Sequence, residues 1–271
     1  MNKETPANKL IAGVLSTFVF QYIVLEDVMD RIEIIRTEEK IYHDYCYEHY
    51  QLFEEGSWLH KPVRTVLDGL EQFVDYEALH VLDLGAGIGR NSIPIAQFMQ
   101  RQYVKEGHQP IGYVDCVDLL PSAIDQLEMN SKKYGVEELI RGHLSDIEGF
   151  SIAPLTYDYI VSVSALEHVR SVQHLESKLT EMVAGTKENG VNCIIISSNI
   201  RELLVEENIE IDPMFELNLT TEHMLELLDS HYEGWKVERR LVKSLQYSIQ
   251  RQDKHVQLSS DCITYVAKKL K

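Results

Sequence analysis

The spacing of apolar and polar positions changes period several times along the chain. Near-continuous apolar runs of strand length stand at residues 80–84, 113–118, 157–163 and 191–198, with a weaker one at 139–143. Between them, at about 90–104, 122–134 and 172–185, apolar residues recur every three or four positions. That is the period of a helix with one buried face. Runs such as "YIVSV" and "CIIIS" are apolar on both sides, as a parallel sheet covered by helices on both faces requires. Gly135, after "NSKKY", marks a helix end. Further on, "TTEHMLELLDSHY" predicts a short helix capped by Thr220 or Thr221, with Met224, Leu227 and Leu228 on one face. Two strands, "WKVERRLVK" and "CITYVAKK", follow with no helix between them, which allows antiparallel pairing. Residues 28–73 read as helices with a break at Glu55-Gly56-Ser57 and Pro62 in a first helical turn. The prediction is an α/β fold: a doubly wound, mostly parallel seven-stranded sheet with an antiparallel C-terminal strand pair. A helical N-terminal extension, residues 1–75, precedes the domain at 76–271.

One junction carries candidate chemistry. In "HVLDLGAGIGRNSIPIA" a buried strand runs into Gly85, Gly87 and Gly89 before the pattern turns helical. Glycines there let the backbone take unusual torsions and approach a ligand closely. The helix start beyond them offers unpaired N–H groups and a positive dipole end. The next strand ends in "YVDCVDLLPSAIDQL", with Asp118 at its tip before a Pro-Ser helix start. An acid at that point can accept both hydroxyls of a ribose, or it can simply cap the helix.

Several nucleotide ligands compete for such a loop. A dinucleotide fingerprint needs a small sixth residue, and Arg90 stands there; a phosphate-binding P-loop needs a lysine, and the loop has none. "VLDLGAGIGRNSIPIA" resembles motif I of the class I S-adenosylmethionine-dependent methyltransferases. "CVDLLPSAIDQL", "SDIEGF", "YDYIVSVSALEHV" and "KENGVNCIIIS" resemble that family's later segments in the right order, from about residue 80 to 200. Within the family, "GRNSIPIA" and "PMFELNLTTEHMLELLDSHYEGWKVERR" are similar to the tellurite-resistance type of small-molecule methyltransferase. The interval from Gly85 to Asp118 is longer than usual, and "RQYVKEGHQP" reads as an added loop.

The resemblance implies a Rossmann-like fold, S-adenosylmethionine as cofactor with S-adenosylhomocysteine as product, and a small-molecule methyl acceptor. It places Asp83, Gly85, Ala86 and Gly87 around the methionine part, with Gly89 completing the turn. Asp118 would hold the ribose, Leu119 would press on the adenine, Asp146 would accept the adenine amino group and Ile147 would line its face. Ser164 and Ala165 would border the reactive end. "SALEHV" sets His168 and Glu167 nearby as candidates for a base or an acceptor-orienting group, against the plainer reading of His168 as packing and Glu167 as solvent-facing. Tyr42, His43, Tyr45 and Trp58 precede the first strand and suit an aromatic lid, since aromatic faces attract a sulfonium; core packing competes for each. Arg90 suits an anionic acceptor or a neighbouring acid.

Charge narrows the partners. With 26 Lys and Arg against 43 Asp and Glu, the 271-residue chain carries a net charge of −17. That argues against nucleic acid, whose binding depends on Lys and Arg displacing counterions; no Asn/Asp-Pro-Pro-Tyr/Phe segment stands after the fourth strand either. The cysteines, Cys46, Cys116, Cys193 and Cys262, are far apart with no CxxC, which speaks against a metal cluster or a disulfide framework and for a reducing cytoplasm. "LIAGVLSTFVFQYIV", residues 10–24, has no formal charge. It is short for a membrane span, and no small-x-small cleavage site follows. It suits a helix that is buried or that pairs two copies as a homodimer, with membrane attachment left open. Two alternatives to methyl transfer remain: a catalytically silent S-adenosylmethionine-binding sensor or partner subunit, and an NAD-dependent oxidoreductase, which Arg90 opposes.

Overall fold

The computed structural model describes residues 30–106, 112–251 and 254–271. The apolar segment 10–24, read above as a buried or pairing helix, lies outside the described residues. Two compact units divide between Tyr42 and His43. Helix α1 (Arg31–His49) crosses that division. All that follows concerns the second unit, His43–Lys271, unless stated.

Among the described residues eight strands form one sheet: β1 (Leu79–Leu84), β2 (Gly112–Asp118), β3 (Ile140–Leu144), β4 (Tyr157–Val163), β5 (Thr186–Leu204), β6 (Ile209–Ile211), β7 (Lys236–Arg251) and β8 (Lys254–Lys268). The order is β3-β2-β1-β4-β5-β8-β7, with β6 paired to β5 off this path. The pairings among β3, β2, β1, β4 and β5 are parallel, and those of β8 with β5 and β7 are antiparallel. Alternate residues of each strand enter opposite layers. Val81, Val114, Cys116, Tyr159, Val161 and Cys193 face one core; Leu82, Leu84, Val117, Ile160, Ile194 and Ile196 face the other.

Helices cover both layers. Ile93, Ala96 and Met99 of α3 (Ser92–Glu106) and Ala123 and Leu127 of α4 (Pro121–Lys133) join the first core. Residues from the start of the unit, Cys46 to Phe73, pack there too, including Val66 of the short α2 (Arg64–Gly69). The second core takes Leu175, Leu179 and Met182 of α5 (Val172–Gly185) and Met224, Leu227 and Leu228 of α6 (Thr221–His231). Thr220 caps α6 by accepting the His223 amide at 3.2 Å.

Four details differ from the sequence reading. The sheet has an eighth strand, β6, whose "IEI" is too short and too charged to register as a strand. Strand β5 runs past 198 to Leu204, because "NIRELL" hides its alternation behind an acid on the buried side: Glu202 is buried and accepts the Arg251 guanidinium at 2.8 Å. Helix α3 continues to Glu106, so "RQYVKE" is helical rather than loop, and residues 107–111 lie outside the described residues. Pro62 stands before the Val63 cap of α2, outside the helix.

Candidate cofactor site

Strands β3, β2, β1 and β4 are adjacent and parallel, so the segments leaving their C-terminal ends gather at one edge of the sheet. The loop after β1 is held by its neighbours. The amides of Gly85 and Ala86 donate to the Val117 carbonyl at 2.9 and 3.0 Å, and the Gly87 amide donates to Asp118 Oδ2 at 2.8 Å. Gly85 and Gly87 have φ of +76° and +54°, in the region that disfavours a Cβ. A Cβ on Gly85 would overlap that of Ala165. One on Gly87 would stand 3.1 Å from the Tyr47 hydroxyl. Gly89 completes the turn at φ +96°, its amide donating to the Ala86 carbonyl.

Beneath this loop Asp83 is 1% exposed. Its Oδ2 accepts the Ser92 hydroxyl at 2.5 Å, while Oδ1 is buried with no hydrogen-bond partner among the described residues. Burial pushes its pKa up to about 6, with the Ser92 hydrogen bond and the Arg90 charge pulling the other way. At the next strand tip, Asp118 Oδ1 accepts the Leu120 amide at 3.0 Å, so its carboxylate clamps the β1 loop to the start of α4. Burial raises its pKa, and the amides of Leu120 and Gly87 work against the rise. Leu119, beside it, leaves 43% of its surface exposed.

After β3, Asp146 Oδ1 accepts the Glu148 amide at 3.0 Å and its carbonyl accepts those of Gly149 and Phe150, closing a turn. Ile147 packs against the second core. After β4, Ser164 takes φ +51°, rare for a residue with a Cβ, and donates its amide to the Ile195 carbonyl at 2.8 Å. That bend sets Ala165 against Gly85. Glu167 is 1% exposed, not solvent-facing as its residue type suggested; Oε1 accepts the Ser197 amide at 3.1 Å and Oε2 is buried with no hydrogen-bond partner among the described residues. Its burial raises its pKa, against the lowering effect of His168. His168 Nδ1 lies 2.9 Å from Glu216 Oε2, and its ring stacks on Phe215.

The aromatic residues divide. His43 and Trp58 meet edge to face at 5.8 Å, and Tyr47 packs on both, at 5.6 and 6.4 Å between ring centroids. Arg90 lies over the Trp58 ring at 5.1 Å and donates to the Trp58 carbonyl at 3.0 Å. Tyr45 instead stacks on His49 and is 54% exposed. Tyr42 belongs to the first unit and is also half exposed. The structure therefore gathers Asp83, the glycine loop, Asp118, His43, Trp58 and Arg90. It adds Tyr47, Ser92 and Glu216, which no spacing singled out. Among the described residues no group of His, Cys, Asp or Glu is arranged to hold a metal ion.

Residues 81–190 match the family of the methyltransferase domain. No curated protein matches the chain. Among solved structures, TehB from Haemophilus influenzae is similar over 84% of this chain and 66% of its own, with a TM-score of 0.56 at 19% identity. An S-adenosylmethionine-dependent methyltransferase from Methanosarcina mazei matches over 78% of this chain and 99% of its own, with a TM-score of 0.50 at 14% identity. The [4+2]-cyclase SpnF matches over 82% and 85%, with a TM-score of 0.51 at 12% identity. At these identities the likeness is one of fold. Residues 81–190 thus match a methyltransferase domain, and the fold that carries them is shared with S-adenosylmethionine-dependent methyltransferases of known structure.

Proposed function

We propose that the chain transfers a methyl group from S-adenosylmethionine to a small-molecule acceptor by in-line displacement. The observation that carries this reading is the clamp between Asp118 and Gly87, which joins an acid at one strand tip to a glycine loop at the next. The residues present fit the cofactor. Asp83 has a buried oxygen without a partner, Asp118 keeps lone pairs beyond its two amides, and Leu119 offers an exposed apolar face beside them. When bound, the cofactor supplies a methyl group activated by a sulfonium.

What remains for the protein is alignment and exclusion of water. Asp83 and the loop from Gly85 to Gly89 hold the methionine part, and Asp118, Leu119, Asp146 and Ile147 hold the adenosine. Ser164 and Ala165 border the reacting end. His168, oriented through Nδ1 by Glu216, takes the acceptor's proton where the acceptor arrives protonated. Glu167, with one oxygen left over, orients the acceptor beside it. In this reading the segment from His43 to residue 75 serves as a cover over the transfer domain at 76–271, with His43 and Trp58 as its aromatic wall. Arg90, held on Trp58, sits at that wall's edge. The net charge of −17 supports a small acceptor over a nucleic acid. All four cysteines are free, which supports a cytoplasmic setting, and no described helix is long and apolar enough to cross a membrane.

The fold alone does not choose the chemistry, since SpnF is a [4+2]-cyclase on a similar framework. A silent S-adenosylmethionine binder is the second reading. Calorimetry with S-adenosylmethionine and NAD in parallel, then an acceptor screen including tellurite and thiols, separates them. Methyl transfer to one acceptor class supports the proposal. Binding without turnover favours the silent binder, and binding of NAD alone overturns both.

A further inference from the structure

Tyr47 has no place in any motif of the sequence, yet it stands at the mouth of the glycine loop. Its side chain is 7% exposed. Its hydroxyl lies 3.1 Å from where a Cβ on Gly87 would be, so that atom would crowd it. The ring is packed on His43 and Trp58. Its electrostatic neighbours are Asp118, Asp44 and Cys46 on one side and Arg90 on the other. Burial and the Asp118 carboxylate raise the phenol's pKa well above its ordinary value, so the group keeps its proton and is a donor. Among the described residues that donor has no acceptor.

The residue is largely buried, yet its hydroxyl is not among the fully buried polar atoms that lack a partner, so the oxygen keeps an open side. That open side presents the donor to a ligand at the glycine loop, next to Gly87. Tyr47 also borders an open cavity of about 310 Å³ lined by Asp44, Glu48, Ser122, Asp125 and Gln126.

We propose that Tyr47 is a cofactor-binding residue whose hydroxyl donates a hydrogen bond to an oxygen of S-adenosylmethionine at the glycine loop. The inference rests on the reading of that loop as the cofactor site. It accounts for three things at once: the glycine at 87, the lone donor beside it, and the aromatic packing that fixes the ring.

The test compares wild type, Tyr47→Phe and Tyr134→Phe by calorimetric titration with S-adenosylmethionine and by thermal unfolding without it. Tyr134 is the control, because its hydroxyl already donates to the Leu52 carbonyl at 3.2 Å. Tyr47→Phe is expected to bind about 5- to 20-fold more weakly with no loss of thermal stability, the usual range for one hydrogen bond lost to a ligand. Tyr134→Phe is expected to lose stability and keep its affinity. If wild type binds and Tyr47→Phe binds equally well, the role given to Tyr47 is wrong while the cofactor site stands. If wild type does not bind, the reading of the site falls and this inference falls with it.

Discussion

The carboxylate of Asp118 accepts the Gly87 amide at 2.8 Å and the Leu120 amide at 3.0 Å, so one side chain bridges the β1 loop and the entry to α4. Asp118→Ala removes both bonds together with the proposed ribose acceptor. The expected result is a loss of S-adenosylmethionine affinity of about tenfold or more, with a stability cost of roughly 1.5–3 kcal/mol and the fold retained. Calorimetry and urea unfolding on the same preparation check both parts. Unchanged affinity would remove Asp118 from the site.

Gly85 and Gly135 separate the cost of backbone strain from the cost of crowding. Both have positive φ, +76° and +67°. A Cβ on Gly135 meets nothing within 4 Å, whereas one on Gly85 overlaps Ala165. Gly135→Ala is expected to cost about 1–2 kcal/mol, the price of a left-handed conformation alone. Gly85→Ala should cost clearly more and weaken cofactor binding, because Ala165 or the loop must shift. Urea denaturation of the two variants side by side provides the comparison; equal costs would mean that the Gly85–Ala165 approach is unimportant.

Asp83 makes stability depend on pH in a definite direction. Its folded pKa is raised to about 6 from an ordinary 3.8. The folded state therefore binds its proton more tightly than the unfolded state does. The stability this contributes is present below about pH 4 and is lost as pH rises through about 6, a change of about 3 kcal/mol. Asp83→Asn cannot ionise and escapes that loss. Measured without cofactor, its stability relative to wild type should rise by about that amount between pH 4 and pH 7.5. A difference that stays flat across this range would show that Asp83 is not held near neutrality.

His168 and Glu216 form the pair 2.9 Å apart that the proposed base requires. If the acceptor arrives protonated, His168→Ala should lower kcat about 10²- to 10⁴-fold. Glu216→Gln should lower it less and change the pH profile, since Glu216 acts only through the imidazole. Full turnover in His168→Ala would exclude it as an obligatory base.

Much of the site was legible because its chemistry is local in sequence. The glycines, Asp83 and Asp118 sit at strand ends whose apolar runs are short and clean, so their places at those ends followed from the pattern. Glu167 was harder. Nothing in "SALEHV" distinguishes an exposed acid from one buried beneath β5, and the Ser197 amide it meets lies far along the chain. Glu202 misled in the same way, because its partner Arg251 comes from another strand.

The sequence by itself determined the alternation of strand and helix, the parallel core and the composition of the loop after β1. These depend on periodicity and on residues a few positions apart, which the order of amino acids states directly. Only the tertiary structure decided that Tyr47 reaches Gly87, that Tyr45 does not, and that Glu216 holds His168. Those relations join segments far apart in the chain, and a side chain's burial and partner depend on which distant surface the fold brings against it.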